Sequence, residues 1–408
     1  MGRHGLNEIS TSGDTGEPEK KFKPIAETYR KFTLAMVMGM MYPNPRTERR
    51  RLIYLLIISI SFWPVYVMWF YDVFHCLQRL DVDNLTRQLS LGVPIMFCQF
   101  KMFLVTILRK KMQNLIEEIN ADYERYNCMD AGYQAIVMEN QKSLLKLEKV
   151  WTYMVLATVA AFPLMALYQT TEHHLFKEGQ RFMVHDVDVP WLKEQRFESP
   201  YFEILFVYMV YIALVLVLCY TAYDGMFFLC IFHACLKMKI ISHQLMGALR
   251  DHDDVEQMKR NIAVVVEDQC ETFRFVDRIR EEYEFWLVQV FGLTGIQICM
   301  NMYQIITSDG SDIDPRYIIF FVAAILHIYV PCFLVSKLSA TAAEVSNSAY
   351  CAGWEQLADS GVRRSIAIMI ARAQIPVQVQ ALNMVTFNME LFVSVMQTSY
   401  SVFTLLRS

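Results

Sequence analysis

Few residues in this chain have the types and spacing that enzyme chemistry requires. The 408-residue sequence has no His-Glu-x-x-His, Gly-x-Ser-x-Gly, Cys-x-x-Cys or phosphate-binding glycine loop. His233 lies between Cys230 and Cys235, a set that could bind a metal ion, although such residues more often pack helices together. We therefore expect no enzyme activity, no cofactor and no resident metal. The net charge of −4 gives no reason to expect a nucleic-acid partner.

Three charged residues stand alone in long apolar runs and are the strongest candidates for a functional role. They are Lys101, Asp224 and Glu390. Because a charge is costly inside a membrane, such residues either pair with one another or line a water-filled path. For Lys101 and Asp224 we expect pairing that holds helices together. Glu390 follows Asn383 by two helical turns, so their shared face either lines a cavity or docks on a neighbouring helix.

Seven apolar runs are long enough to hold these residues inside a bilayer. Roughly 20 apolar residues span the hydrocarbon core as a helix. The runs cover residues 52–71, 88–108, 150–171, 204–236, 286–308, 317–336 and 373–406. The fourth and seventh runs exceed the required length, so each must project beyond the membrane or include a turn. The sequence therefore predicts an all-α, polytopic membrane protein with seven transmembrane helices.

The distribution of basic residues orients these helices. Of the 38 Lys and Arg residues, 29 lie in the alternate segments 1–51, 109–149, 237–280 and 337–372. Because cytosolic loops are rich in Lys and Arg, we predict a cytosolic N-terminus and an extracellular C-terminus. The one Asn-x-Ser/Thr sequon, at Asn84, then lies in an extracellular loop, where it could be glycosylated. Cys76 is the only cysteine in such a loop, so no extracellular disulfide within the chain is expected.

Aromatic and Met side chains are dense in the predicted extracellular halves of the helices. The chain has 25 Met and 27 Phe residues. Aromatic belts at the membrane interface and ordinary core packing explain many of them, whereas a pocket for an apolar small molecule is the alternative. The candidates for ligand binding are Phe97, Phe100, Phe162, Phe206, Met209, Tyr303 and Phe320.

Three short segments near the C-terminus occur in a distinctive order. They are Ser348–Trp354, Arg372–Pro376 and Ser399–Leu406. Their order and spacing resemble the seventh-helix signature of the insect odorant receptor family. The Thr-Tyr…Gln-Phe ending expected of related gustatory receptors is absent. The loop over 237–284 is short, which resembles the ligand-tuned subunits of the family and not its co-receptor.

The resemblance implies a subunit of an odorant-gated, non-selective cation channel. Members of the family assemble as four subunits around a central pore, usually with the co-receptor, and respond to small volatile ligands. The implied location is the plasma membrane of a sensory dendrite, where the chain contacts lipid. Tyr350, Trp354 and Arg372 are then expected to anchor the subunits to one another. The implied division is a cytosolic segment 1–51, six transmembrane helices with the ligand pocket over 52–336, an anchor region 337–372 and a pore helix 373–408.

The last helix is expected to carry the gate. The seventh run is predicted to split into a cytosolic helix over 338–357 and a pore helix over 376–406, which begins at a proline. Val402, Phe403 and Leu406 lie within four residues of one another, and the resemblance implies an apolar gate there that closes by dewetting. The alternative is that this stripe packs against the fifth helix.

Other functions predict different sequence features. A gustatory-type or other sensory channel subunit would act alone, without the co-receptor. A transporter would show discontinuous spans in symmetric halves, and none is visible. A G-protein-coupled receptor would place its N-terminus outside the cell and carry Asp-Arg-Tyr and Asn-Pro-x-x-Tyr motifs, which this sequence lacks.

Overall fold

The computed structural model describes residues 21–407 except 177–180, 186, 188, 190, 191, 250–253 and 308–313. The first 20 residues of the predicted cytosolic segment therefore lie outside the described part. The helices are α1 (Ile25–Thr28), α2 (Arg30–Met38), α3 (Glu48–Ser61), α4 (Trp63–Arg79), α5 (Val82–Ile107), α6 (Arg109–Asn127), α7 (Ala131–Phe176), α8 (Tyr201–Ala248), α9 (Val255–Thr307), α10 (Pro315–Tyr350), α11 (Ser360–Ala373) and α12 (Met389–Arg407). Two 3₁₀ turns, Lys193–Phe197 and Trp354–Gln356, and two short strands, β1 (Gln380–Ala381) and β2 (Val385–Thr386), complete the described elements. The prediction of an all-α protein is confirmed.

Six helical segments of the described residues are long and apolar enough to cross a membrane. They are Glu48–Arg79, Val82–Ile107, Ala131–Leu175, Tyr201–Ala248, Val255–Thr307 and Pro315–Gln356. The first of these joins α3 and α4 across a break at Phe62. Each of the first six predicted apolar runs coincides with one of these segments.

The seventh predicted run has a different internal structure. Its helix, α12, has 19 residues and begins at Met389, so the predicted pore helix over 376–406 starts too early. Residues between α11 and α12 instead form the antiparallel hairpin of β1 and β2, with positive φ angles at Leu382 and Asn383. The excess length of the seventh run is therefore a turn, one of the two explanations that its length allows.

The hairpin also separates two residues that were expected to share a helical face. Asn383 lies in the turn, whereas Glu390 is exposed in the first turn of α12, so the two are not on one helix. A carboxylate at this position complements the positive end of the helix dipole. Asn388 caps the same helix end, because its side-chain oxygen accepts the backbone N–H of Leu391 at 2.8 Å.

The predicted cytosolic helix over 338–357 is not a separate element. α10 continues without a break from the sixth apolar run to Tyr350, and Trp354 begins a 3₁₀ turn after it. The segment between Lys337 and Tyr350 is rich in Ala and contains neither Gly nor Pro, so nothing interrupts the helix.

Three helices extend far beyond a bilayer. α7, α8 and α9 have 46, 48 and 53 residues, which corresponds to about 70–80 Å of helix against a hydrocarbon core of about 30 Å. The predicted projection of the fourth span is therefore confirmed by α8. Between Thr221 and Leu236 this helix is buried on all sides, because α2, α7, α9 and α10 surround it.

The N-terminal helices dock onto this central helix. The Glu148 carboxylate of α7 accepts the backbone N–H groups of Lys31 and Phe32 at 2.8 and 3.0 Å, which satisfies the start of α2. Phe32 then lies against Gly225 of α8, where a Cβ atom would come within 2.5 Å of its ring. Glycine is needed at position 225 because the ring occupies the space of a side chain.

Candidate ligand-binding site

A cavity of about 140 Å³ lies between the helices near the connection of α7 and α8. An apolar cavity of about 150 Å³ in another protein stays dry and binds benzene, so this volume suits a small organic molecule. The lining residues come from six helices and the connection: Val65, Leu91, Pro94, Ile95, Trp151, Met154, Val155, Thr158, Val159, Phe162, Val184, His185, Val187, Met209, Ile212, Ala213, Leu216, Tyr220, Gln297, Phe320, Ala323, Ala324 and His327.

Helical periodicity builds most of this wall. α7 contributes residues between Trp151 and Phe162, and α8 contributes residues between Met209 and Tyr220. In both helices each lining residue has another one three or four positions away. Residues at such steps lie on one face of a helix, so each helix turns a continuous stripe toward the cavity. α10 adds a third stripe from Phe320 to His327.

His185 helps to close the end of the cavity nearest the connection of α7 and α8. Its Nε2 atom lies 2.8 Å from Oε1 of Gln88 in α5. Burial, together with the positive charges of Arg87 and Arg316, lowers the pKa of His185 to about 3. The imidazole is therefore neutral at physiological pH, and none of the described lining residues at this end carries a charge.

A buried charge cluster lies beyond the opposite end of the cavity. Nζ of Lys101 is 2.6 Å from Oδ1 of Asp224, and both side chains are completely buried. The ammonium group also lies 3.7 Å from the ring centroid of Tyr220, and Nε2 of His327 is 3.5 Å from the second Asp224 oxygen. Lys101 and Asp224, each expected to hold helices together by pairing or hydrogen bonding, are partners of one another. Because Tyr220 and His327 also line the cavity, they connect its wall to the ion pair.

Four of the seven sequence-predicted ligand residues come together here. Phe162, Met209 and Phe320 line the cavity, and Phe206 packs against the cluster that they form with Val184. The rings of Phe162 and Phe320 lie 5.2 Å apart in an edge-to-face arrangement. Phe97 is completely buried beside the cavity, with its ring 5.3 Å from that of His327.

The structure places the other two predicted ligand residues elsewhere. Phe100 packs against the main core near Phe103, and Tyr303 donates its hydroxyl hydrogen to Asp83 at 3.0 Å. Sequence reasoning missed the polar lining residues, among them Gln297 and His327. A stripe of residues at steps of three or four along α7 was the available signal for part of this wall.

A family model described as 7tm Odorant receptor matches residues 81–400 of this chain. The chain belongs to the odorant receptor family. Odorant receptor 30a of Drosophila melanogaster is 21% identical over 354 residues, which cover 85% of this chain and 91% of that receptor. Odorant receptor 82a of the same species is 24% identical over 212 residues, covering 52% of this chain and 54% of that receptor.

Solved structures share the fold of this odorant receptor. The insect olfactory receptor OR5 from Machilis hrabei aligns with a TM-score of 0.78 at 15% identity, covering 94% of this chain and 98% of that one. The same receptor in complex with eugenol aligns with a TM-score of 0.75 over the same shares. The family and the apolar helices make the chain a multi-pass membrane protein. Its family consists of receptors or channels and not of enzymes.

The residues expected to form the gate of this odorant receptor do not share one face of α12. Phe403 is buried against Cys299 and Tyr303 of α9, which is the packing alternative considered for this stripe. Val402 and Leu406, four residues apart, lie on the exposed side of the helix. A role in gating remains a prediction for all three.

The residues expected to anchor the subunits also differ in exposure. Tyr350 ends α10 with its side chain 69% exposed, whereas Trp354 is half-buried against the core. Arg372 lies 3.8 Å from the ring centroid of Phe273 in the same chain, which is a cation–π contact. Of the three, Tyr350 offers the most surface to another subunit.

Two further sequence candidates have local roles. Asn84 lies in the first turn of α5, where its side-chain amide donates to Asp81 at 2.5 Å. His233 contacts Asp122 of α6 at 2.8 Å, and Lys237 lies 2.9 Å from the same carboxylate. Although burial raises the pKa of Asp122, the His233 hydrogen bond and Lys237 lower it to about 2. Within the described residues, no group of three or more His, Cys, Asp or Glu side chains is arranged to hold a metal ion.

Proposed function

We propose that this chain is the ligand-tuned subunit of an odorant-gated, non-selective cation channel that it forms with a co-receptor. The observation that carries the proposal is the mainly apolar cavity, whose wall includes α9, the helix that also packs against α12. The olfactory receptor OR5 from Machilis hrabei, which has a similar fold, has been solved in complex with eugenol. That complex supports a small volatile molecule as the ligand here.

The link from cavity to pore runs through α9. Gln297 lines the cavity on one face of this helix, while the carbonyl of Gly295 accepts a hydrogen bond from the Ser399 hydroxyl of α12 at 3.1 Å. Cys299 and Phe403 extend the contact further along the two helices. A ligand that prefers one position of α9 therefore biases the position of α12, since differential affinity shifts a conformational equilibrium.

α12 acts in this proposal as the seventh transmembrane helix and lines the pore. Its exposed face carries Val402 and Leu406, and four copies of that face around an axis would form an apolar constriction. The Lys and Arg distribution supports a cytosolic N-terminus and an extracellular C-terminus in the plasma membrane. Tyr350 at the end of α10 is available to contact a neighbouring subunit.

The proposal is tested by co-expression with an odorant receptor co-receptor and recording of cation currents during exposure to a panel of volatiles. We expect currents that need both chains. Ala324→Phe fills the cavity and should abolish the response, whereas Ala157→Phe, on the exposed side of α7, should not. Surface labelling must show equal amounts of both variants.

Two results would contradict the proposal. Currents of equal size from this chain expressed alone would favour a gustatory-type or other sensory channel without a co-receptor. Normal responses from Ala324→Phe would show that the ligand binds outside the cavity.

A further inference from the structure

Among the described residues, five side chains with hydrogen-bonding groups line the otherwise apolar cavity, leaving aside the Trp151 indole. Four of the five have protein partners. Thr158 donates to the carbonyl of Met154 at 2.8 Å, and Tyr220 donates to the carbonyl of Pro94 at 3.3 Å. These two hydroxyls are therefore committed to backbone oxygens on the cavity wall.

The two histidines of the lining are committed as well. His185 is paired with Gln88, as described above. Nδ1 of His327 lies 3.4 Å from the Thr294 hydroxyl, and its Nε2 faces Asp224. Neither imidazole has both nitrogens turned toward the cavity.

Gln297 is the remaining polar residue of the lining. Its side chain is only 7% exposed, and it makes no hydrogen bond with any other residue in the described part of the chain. Its neighbours on the same face of α9 have protein partners: Thr294 contacts His327, and the Asn301 side-chain oxygen accepts from Ser90 at 2.7 Å, while the Asn301 amide nitrogen is buried without a partner. An amide at the wall of an apolar cavity that has no protein partner leaves its hydrogen-bonding groups open, so a polar group that enters the cavity and bonds to it gains the free energy of that bond.

We infer that Gln297 binds the polar group of the ligand and tunes this receptor to small alcohols or phenols. The inference rests on the proposed function, namely that the cavity is the ligand site. The amide offers an N–H donor and a carbonyl acceptor side by side. A hydroxyl satisfies both, since its hydrogen is donated to Oε1 and its oxygen accepts from Nε2. A ketone satisfies only the donor, and a hydrocarbon satisfies neither.

The size of the cavity limits the rest of the ligand. About 140 Å³ lined by Phe162, Met209, Phe320 and small aliphatic residues holds a compact apolar body close to the size of a substituted benzene. Because the site itself has a polar group to satisfy, it discriminates against an analogue that lacks the hydroxyl more strongly than against one that lacks a methylene.

The test uses three probes with one carbon skeleton: 1-phenylethanol, acetophenone and ethylbenzene. With wild-type receptor and co-receptor, we expect the alcohol to activate at the lowest concentration, the ketone next and the hydrocarbon last. The alcohol and the hydrocarbon should differ by about tenfold or more in half-maximal concentration. Ligand-induced thermal stabilisation of the purified complex should give the same order.

Gln297→Leu and Gln297→Met remove the amide while keeping an apolar side chain of similar length. In both variants we expect the three probes to become equipotent within about twofold, with the hydrocarbon response retained. Thr106→Val is the matched control, since it removes a hydroxyl that is bonded to a backbone carbonyl at a position outside the cavity lining, and it should keep the wild-type order.

Three outcomes would overturn the inference: equipotent probes on the wild type, an unchanged order in both Gln297 variants, or failure of 1-phenylethanol to activate or stabilise the wild-type complex. The proposed function fails separately, when no volatile of a wide panel evokes a current or when Ala324→Phe responds normally.

Discussion

The buried ion pair beside the ligand cavity leads to a quantitative prediction about stability. Lys101 in α5 and Asp224 in α8 are 2.6 Å apart and completely buried. With an effective dielectric constant of about 20, two unit charges at this separation attract by about 6 kcal/mol. Desolvation of both groups offsets much of that attraction, so the consequence of a substitution depends on whether one partner or both are removed.

Removing one partner leaves an uncompensated charge in the core. We expect Lys101→Met or Asp224→Leu to lower the free energy of unfolding by about 3–5 kcal/mol. Asp224→Leu should be the more damaging, because Lys101 has no other carboxylate within 4 Å in the described residues. After Lys101→Met, the imidazole of His327 still lies 3.5 Å from the Asp224 carboxylate and can interact with it in place of the lysine.

The double variant Lys101→Met with Asp224→Leu separates pairing from packing. We expect it to be within about 1 kcal/mol of the wild type, because well-packed apolar residues often replace a buried ion pair without loss. The exposed pair of Lys111 and Glu281, 3.1 Å apart, is the control and should contribute at most about 1 kcal/mol.

The measurement is the free energy of unfolding in mixed micelles, which is obtained by titrating the purified receptor with SDS. Single variants within about 0.5 kcal/mol of the wild type would refute the reasoning, because a buried charge would then tolerate the loss of its partner. A double variant whose loss equals the sum of the two single losses would refute it as well, since independent sites add.

Three further predictions, made with four variants, concern the packing and the titration of this receptor. Gly225→Ala places a Cβ 2.5 Å from the Phe32 ring and should cost about 1–3 kcal/mol of unfolding free energy, whereas Gly292→Ala, with nothing within 4 Å, should be neutral or stabilising. Glu148→Ala removes the acceptor of two backbone N–H groups and should release α2, seen as faster proteolysis at the N-terminus without loss of the main thermal transition. His185 has a native pKa of about 3 and an unfolded value near 6.5, so its stabilising effect is complete above pH 6.5 and is lost as the pH falls toward 3. Between pH 7 and pH 5 the wild type should therefore lose up to about 2 kcal/mol more than His185→Gln.

For each of these predictions, one result would contradict the reasoning. Equal stability of the two Gly→Ala proteins would mean that the Phe32 ring moves aside without cost. Unchanged proteolysis of Glu148→Ala would show that other contacts hold α2. An identical pH dependence in the wild type and His185→Gln would mean that the imidazole is solvated in the native state.

The family and the six apolar helices of a multi-pass membrane protein were predictable from the sequence alone. Apolar runs of about 20 residues and the order of the C-terminal segments are properties of neighbouring residues along the chain. The all-α fold depends only on such local properties, since a helix closes its hydrogen bonds within itself. For the same reason the pairing of Lys101 and Asp224 could be expected: a charge in an apolar run must find a partner, and the sequence offers few.

Boundaries and faces required the tertiary structure. Residues 374–388 form a hairpin and not the start of a helix, and α10 runs on to Tyr350, because helix ends depend on what each segment packs against. Phe403 belongs to the contact with α9, whereas Val402 and Leu406, in the same short segment, are exposed on another face of α12. A shift of one residue along a helix rotates a side chain by about 100°, so spacing alone cannot say which neighbour a residue meets.

The cavity shows most clearly which features could be predicted from the sequence and which depend on tertiary packing. Aromatic and Met residues could be identified as candidates from composition, and Phe162, Met209 and Phe320 do meet in space. Gln297 could not be identified, since a glutamine in a long helix carries no local sign of which way it points. Its burial beside a cavity is decided by the packing of α5, α7, α8, α9 and α10 together, because a void exists only where several helices fail to fill the space between them.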